Sequence, residues 1–197
     1  MKEDVIMKKR LIAGAAAVAL GLGLAPAATA QEQLSTAEVA TLSRMRDEER
    51  MARDLYQAFI DAYGSVRPFS NIVYSEQRHY DAIGTMLDRF GVDDPSAGLP
   101  TGTYADAEIQ ALYDSWLAQG STSLRDAYAV GVELETADIA DLEDAIDESG
   151  NASLDATYQN LLDASRNHLS AFQRASSGGG MGGGGMGGGF RWRGGWG

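Results

Sequence analysis

Ser75-Glu76-Gln77-Arg78-His79 sits in the middle of an apolar repeat in which Ile72, Glu76, His79, Ile83, Met86 and Phe90 follow one another at steps of three and four. That spacing places all six on one face of a helix. The face that ought to be buried therefore carries a carboxylate and an imidazole at mid-length. An ionised carboxylate moved into a helical core costs several kcal/mol or more, so it neutralises, pairs with a cation or binds a metal.

The same interruption recurs along the chain. Leu42, Met45, Glu49, Ala52, Tyr56, Phe59 and Tyr63 form one stripe, and Leu124, Ala127, Gly131, Glu135, Asp138, Leu142 and Ala145 form another. A further stripe is Leu154, Tyr158, Leu161, Ser165, His168 and Phe172. All four faces turn polar near their middle, and both histidines of the chain, His79 and His168, fall there. Carboxylates and neutral imidazoles converging on one point suit iron, manganese or zinc. The competing reading is a buried ion-pair network in which Arg53, Arg78 or Arg166 neutralises the carboxylates and the histidines only hydrogen-bond.

Punctuation divides the stripes into helices. Ser35-Thr36-Ala37-Glu38 is a capping box, and Gly64 stops the helix it opens, giving about residues 36–63. A second helix is expected from about Asn71, with Ser70 or Asn71 as cap, to Phe90, with Gly91 as the stop. Pro95, Gly98, Pro100 and Gly102 mark a loop, and a short helix follows over about 106–119. Ser123 caps a third long helix reaching about Glu148, and Ser153 caps a fourth reaching about Ala175. Short links join the first two long helices and the last two, whereas about thirty residues separate the second from the third. The expected fold is all-α: a four-helix bundle with a long crossover that contains a short extra helix, which is the ferritin-like arrangement.

The flanks differ from this body. Lys8, Lys9 and Arg10 precede an apolar run from Leu11 to Ala25, and Ala28-Thr29-Ala30 offers a small-residue cleavage site, so residues 1–30 read as a secretory signal peptide. The expected location is periplasmic or secreted, with no membrane-spanning segment left after cleavage at Ala30. Residues 31–175 then form the folded domain. Residues 176–197 are a glycine-rich, disordered tail ending in Phe190-Arg191-Trp192-Arg193, suited to contacts with envelope components.

Composition narrows the function classes. The chain has 28 acidic and 16 basic residues, a net charge of −12. Four of the basic and two of the acidic residues lie in the leader, so the remainder carries −14. Such a body disfavours nucleic acid and attracts cations. Cysteine is absent, which excludes a thiolate iron-sulfur or rubredoxin centre.

Glu49-Arg50-Met51-Ala52-Arg53-Asp54-Leu55-Tyr56 resembles the first-helix signature of rubrerythrins. Glu76-Gln77-Arg78-His79 looks like the Glu-x-x-His of a second ferritin helix, and Glu135-x-x-Asp138 like the acidic pair of a third. Across residues 34–174, Ser70-Asn71-Ile72, Ser75-Glu76-Gln77-Arg78-His79, Asp138-Ile139-Ala140-Asp141-Leu142 and Ser165-Arg166-Asn167-His168 resemble the ferritin-like family called domain of unknown function 2202. The rubrerythrin resemblance implies Glu49 and Glu135 as terminal metal ligands, Glu76 as a bridge, and His79 and His168 as nitrogen donors. Asp138 joins this expected ligand set. Ser165 departs from the pattern, standing where a second bridging Glu belongs, so one ion or two is left open.

Two readings of function follow. One is an exported protein binding iron, or manganese or zinc, with oxidase or peroxidase activity toward oxygen or peroxide. The other is a non-catalytic acidic envelope protein that buffers metal or acts as a scaffold through its tail. Ferritin-like relatives often dimerise, so a homodimer is among the expectations. Glu48 is expected at the surface, Asp141 and Asp144 on a solvated face, Tyr56 in core packing, and Trp116 and Tyr113 as anchors of the crossover helix.

Overall fold

A computed structural model describes residues 33–178. The segments expected as leader (1–30) and, beyond residue 178, as glycine-rich tail lie outside the described residues. Those described form five helices and no strand: α1 (Thr36–Tyr63), α2 (Phe69–Phe90), α3 (Ala107–Gly120), α4 (Leu124–Glu148) and α5 (Ala152–Ser176). None is long and apolar enough to cross a membrane.

Local chemistry accounts for the boundaries. Ser35 and Glu38 complete the reciprocal capping box, with Glu38 N–H donating to Ser35 Oγ at 3.2 Å and Ser35 N–H to Glu38 Oε2 at 2.7 Å. Asp106 caps α3, Ser123 caps α4, and Gly91 ends α2 in the left-handed region at φ 67°. Two starts differ from expectation. Helix α2 begins at Phe69 behind Pro68, with no side-chain cap, because proline's fixed φ already suits a first turn. Helix α5 is capped by Asn151, whose Oδ1 accepts from Ser153 and Leu154 N–H, so Ser153 lies inside the helix.

The four long helices form a bundle in which α1 packs on α2 and α4, and α5 packs on α4 and α2. Arg44 meets Asp141 while Tyr56 meets Glu135, so α1 and α4 run antiparallel. The short links make α1/α2 and α4/α5 antiparallel as well. Helices α2 and α4 thus point the same way, and residues 91–123 must carry the chain back along the bundle, with α3 packed on α1 and α4.

Four charged residues of α1 hold that return segment. Arg50 donates to the carbonyls of Leu99 and Pro100 at 2.7 Å each and of Thr103 at 2.9 Å. Asp47 accepts from the N–H groups of Ala105 and Asp106, both at 2.9 Å, and from the Ser96 hydroxyl. Asp54 accepts from Gly102 N–H and the Tyr104 hydroxyl, while Arg46 clasps Asp94. Loop backbone without neighbours in a ladder needs such partners once it is buried. Arg46, Asp47 and Arg50 are therefore buried, against the usual rule for such residues.

The apolar interior comes in two parts. One cluster gathers Tyr56, Phe59, Phe69, Val130 and Phe172; the other gathers Leu42, Ile83, Leu142, Leu154 and Leu161. In every long helix the residues between the two are the polar ones: Glu49 in α1, Glu76 and His79 in α2, Glu135 in α4, Ser165 and His168 in α5. Helices α4 and α5 approach closely at Gly131, where an added Cβ would lie 2.5 Å from the Phe172 ring.

Candidate metal centre

Each polar interruption reaches the same level of the bundle because the apolar residues on either side of it fix the depth of its helix. Glu49, Glu76 and Glu135 are 2, 3 and 1 % exposed, and His79 and His168 6 and 9 %. His79 Nδ1 lies 3.0 Å from Glu76 Oε2 and 3.2 Å from Glu49 Oε2. His168 Nδ1 lies 2.9 Å from Glu76 Oε1 and 3.5 Å from Glu135 Oε2. Glu76 therefore turns one oxygen to each imidazole. The two rings face each other with centroids 5.6 Å apart and planes 22° from parallel.

Two trios result, Glu49–Glu76–His79 and Glu76–Glu135–His168, each with one donor atom per residue lying within 4.8 Å of the others and with Glu76 in common. The second trio has a telling detail. Glu76 Oε1 and His168 Nδ1 are close, yet neither has a hydrogen-bond partner, and Glu49 Oε1 has none either. Buried polar atoms are otherwise almost always paired. Donor atoms that approach without hydrogen-bond alignment are arranged as ligands of a common cation would be.

Electrostatics gives the same picture. Burial works against the charged imidazoles, but Glu49 and Glu76 outweigh it and hold His79 up at about 11; Glu135 and Glu76 hold His168 up at about 10. Burial would lift the Glu76 carboxyl, but the imidazoles of His168 and His79 beside it keep it down at about 2. Burial, aided by the Glu76 charge, raises Glu135 to about 7, and burial raises Glu49 as well. In the absence of a metal, two protons on the imidazoles thus balance part of the carboxylate charge. Buried Glu and His groups in this arrangement could hold a metal.

The remaining expected residues fall as follows. Asp138 is half-buried on α4 and stands apart from both trios; its carboxyl is driven well up by burial and by Glu49 and Glu135, and its contact with Ser165 opposes that rise. Ser165 is fully buried and donates to the Leu161 carbonyl at 3.1 Å. The arginines considered as neutralising partners go elsewhere: Arg53 to Asp54 and Gln77, Arg78 to Ser75, Arg166 to Glu143. Tyr56 does more than pack, since its hydroxyl donates to Glu135 Oε1 at 2.6 Å. Glu48, expected at the surface, is 7 % exposed because α3 covers that side of α1; Arg44 four residues earlier, which binds it at 3.1 Å, was the sequence signal available.

Residues 38–181 match the family described as an uncharacterized protein domain, DUF2202. An uncharacterized protein of Methanocaldococcus jannaschii, MJ0754, is 35 % identical over 144 residues, which is 73 % of this chain and 77 % of that protein. The crystal structure of the hypothetical protein MJ0754 from Methanococcus jannaschii DSM 2661 superposes with a TM-score of 0.72 at 35 % identity, covering 76 % of this chain and 85 % of that one.

Proposed function

The chain belongs to the DUF2202 family, and on that premise we propose an exported, ferritin-like protein whose bundle core binds one or two divalent transition-metal ions. Iron is favoured over manganese or zinc. The observation that carries the reading is Glu76, buried and turned by one oxygen toward each of two histidines on different helices. A bundle core supplied with carboxylates and Glu-x-x-His from facing helices is the donor set of carboxylate-bound iron and manganese. The long return between two parallel helices supports the ferritin-like assignment.

The residues present fit such a group. Each trio offers two carboxylates and one imidazole, with Glu76 in common, and Ser165 stands where a further carboxylate shared between them is expected. Iron bound here would supply electron transfer to oxygen or peroxide. The chain's own part is to hold and shield: Glu76 spans both positions, Tyr56 orients Glu135, and the two apolar clusters keep bulk water from above and below.

Metal analysis of the full chain purified from iron-supplemented medium tests this. The expected result is one to two ions per chain, lost in Glu76→Ala/His79→Ala. A wild-type protein that stays metal-free after reconstitution with Fe(II), Mn(II) and Zn(II) overturns it. Peroxide consumption by the loaded, reduced protein then separates the redox enzyme from a metal buffer.

A further inference from the structure

A second group of acids lies outside the two trios. Glu48 of α1 and Asp138 and Asp141 of α4 line a small crevice between α1, α3 and α4, together with Met51, Leu134 and Trp116. Glu48 is 7 % exposed; its Oε1 pairs with Arg44 Nε at 3.1 Å, and its buried Oε2 has no hydrogen-bond partner. The neighbouring acid is Asp141. Two carboxylates in contact are stable only with a shared proton or a cation between them.

Arg44 does not meet that demand. Its single guanidinium is divided among Glu48, Asp106 at 3.6 Å, Glu108 at 3.3 Å and Asp141 at 3.7 Å. Exposure falls from 37 % for the Asp141 side chain to 7 % for Glu48 and 2 % for Glu49. Asp138 is electrostatically coupled to both ends, to Glu48 on the outside and to Glu49 and Glu135 within.

We propose that the crevice between α1, α3 and α4 is the entrance by which divalent cations reach the bundle core, bound first by Glu48 and Asp141 and passed inward by Asp138. The inference rests on the metal reading of the centre. A hydrated divalent ion cannot cross an apolar wall, because stripping its water without replacement costs tens of kcal/mol. Carboxylates spaced along the route replace that water step by step. An acidic cleft with low-dielectric walls also raises the local cation concentration and the rate of capture. Arg44 at the mouth opposes loading and so sets its pace.

The test follows Co(II) uptake by the full chain in stopped flow, reading the ligand-field absorption of the filled centre. Glu48→Gln and Asp141→Asn, tested singly, are expected to slow loading about tenfold at low ionic strength, with the final cobalt content and spectrum unchanged. Arg44→Gln is expected to speed it, an opposite sign that mere loss of structure would not produce. Asp141 is partly exposed, so its variant keeps the test alive if Glu48→Gln fails to fold. Variants that load at the wild-type rate overturn the entrance and leave the centre standing. Asp141→Asn that loses the final spectrum also overturns it, since Asp141 would then belong to the centre itself. A wild-type chain that takes up no cobalt removes both readings together.

Discussion

Replacing Glu76 by Gln changes one oxygen to nitrogen and removes the charge that both histidines share. Glu76 lies 3.0 Å from His79 and 2.9 Å from His168, in a residue 3 % exposed. Removing one partner from a buried ion pair costs about 3–5 kcal/mol, since the other charge stays behind uncompensated. A domain of this size loses about 3 °C of melting temperature per kcal/mol, so the chelator-treated variant should melt about 10–15 °C lower at pH 7. The control is Glu143→Gln, which breaks a pair with Arg166 at 2.7 Å whose side chains are both half in solvent. That loss should stay under about 1 kcal/mol. Circular dichroism melts measure both losses, and Co(II) titration of the same samples measures ion binding. Because Glu76 belongs to both trios, its replacement should weaken every ion the core binds. A Glu76→Gln protein that melts within about 3 °C of wild type and binds the same number of ions with unchanged affinity would refute the reasoning.

Four further outcomes are expected. At pH 7 both imidazoles carry protons, His79 being held at about 11 and His168 at about 10, so filling the centre should release about two protons, read with an indicator dye in weak buffer. In the metal-free protein the histidine contribution is complete below pH 6.5 and lost as pH rises through about 10–11, and that of Glu135 is complete below pH 4.5 and lost as pH rises through about 7. The Glu76 contribution is complete above pH 4.5 and lost as pH falls through about 2, so melting temperature should peak near pH 4.5 and fall on either side. Tyr56→Phe takes away the donor to Glu135 and should weaken the ion at Glu135 and His168 about 10–100-fold, while the one at Glu49 and His79 is unaffected in calorimetric titration. Gly131→Ala gains about 1 kcal/mol of helix propensity but drives a methyl against Phe172, an overpacking that costs about 1–3 kcal/mol; a net fall in melting temperature is expected, and a rise would show that the helices have room.

The parts of this fold that could be read in the sequence are those written in local chemistry. The capping box at Ser35 and Glu38, the Ser123 cap and the three-and-four spacing around Glu49, Glu76, His79, Glu135 and His168 each depend on residues within two turns of one another, and those five side chains meet in the structure. What could not be read depends on distant partners. Periodicity assigns Glu48 to the outside of α1, and only the docking of α3 encloses it. Asp138 has the right spacing behind Glu135 but a shorter side chain, and it stops at Ser165. Arg46, Asp47, Arg50 and Asp54 resemble a solvated charged face; their partners are the Asp94 carboxylate and loop carbonyls and amides some fifty residues away, for which hydropathy contains no signal.

The division of the apolar interior by a polar layer has a consequence for how the molecule tolerates change. Phe59, Phe69 and Phe172 share one cluster, Leu42, Ile83 and Leu154 the other, and every helix crosses between them at a charged or hydroxyl-bearing residue. Substitutions made at opposite ends should therefore add independently, whereas neighbours within one end will not. Each end can drift in composition on its own, provided the five side chains at the waist keep their depth. Selection on the ends is then selection on alignment: a methylene lost beside Leu154 or Phe172 matters less for the oil it removes than for the fraction of an ångström by which it lets one helix slide past the next.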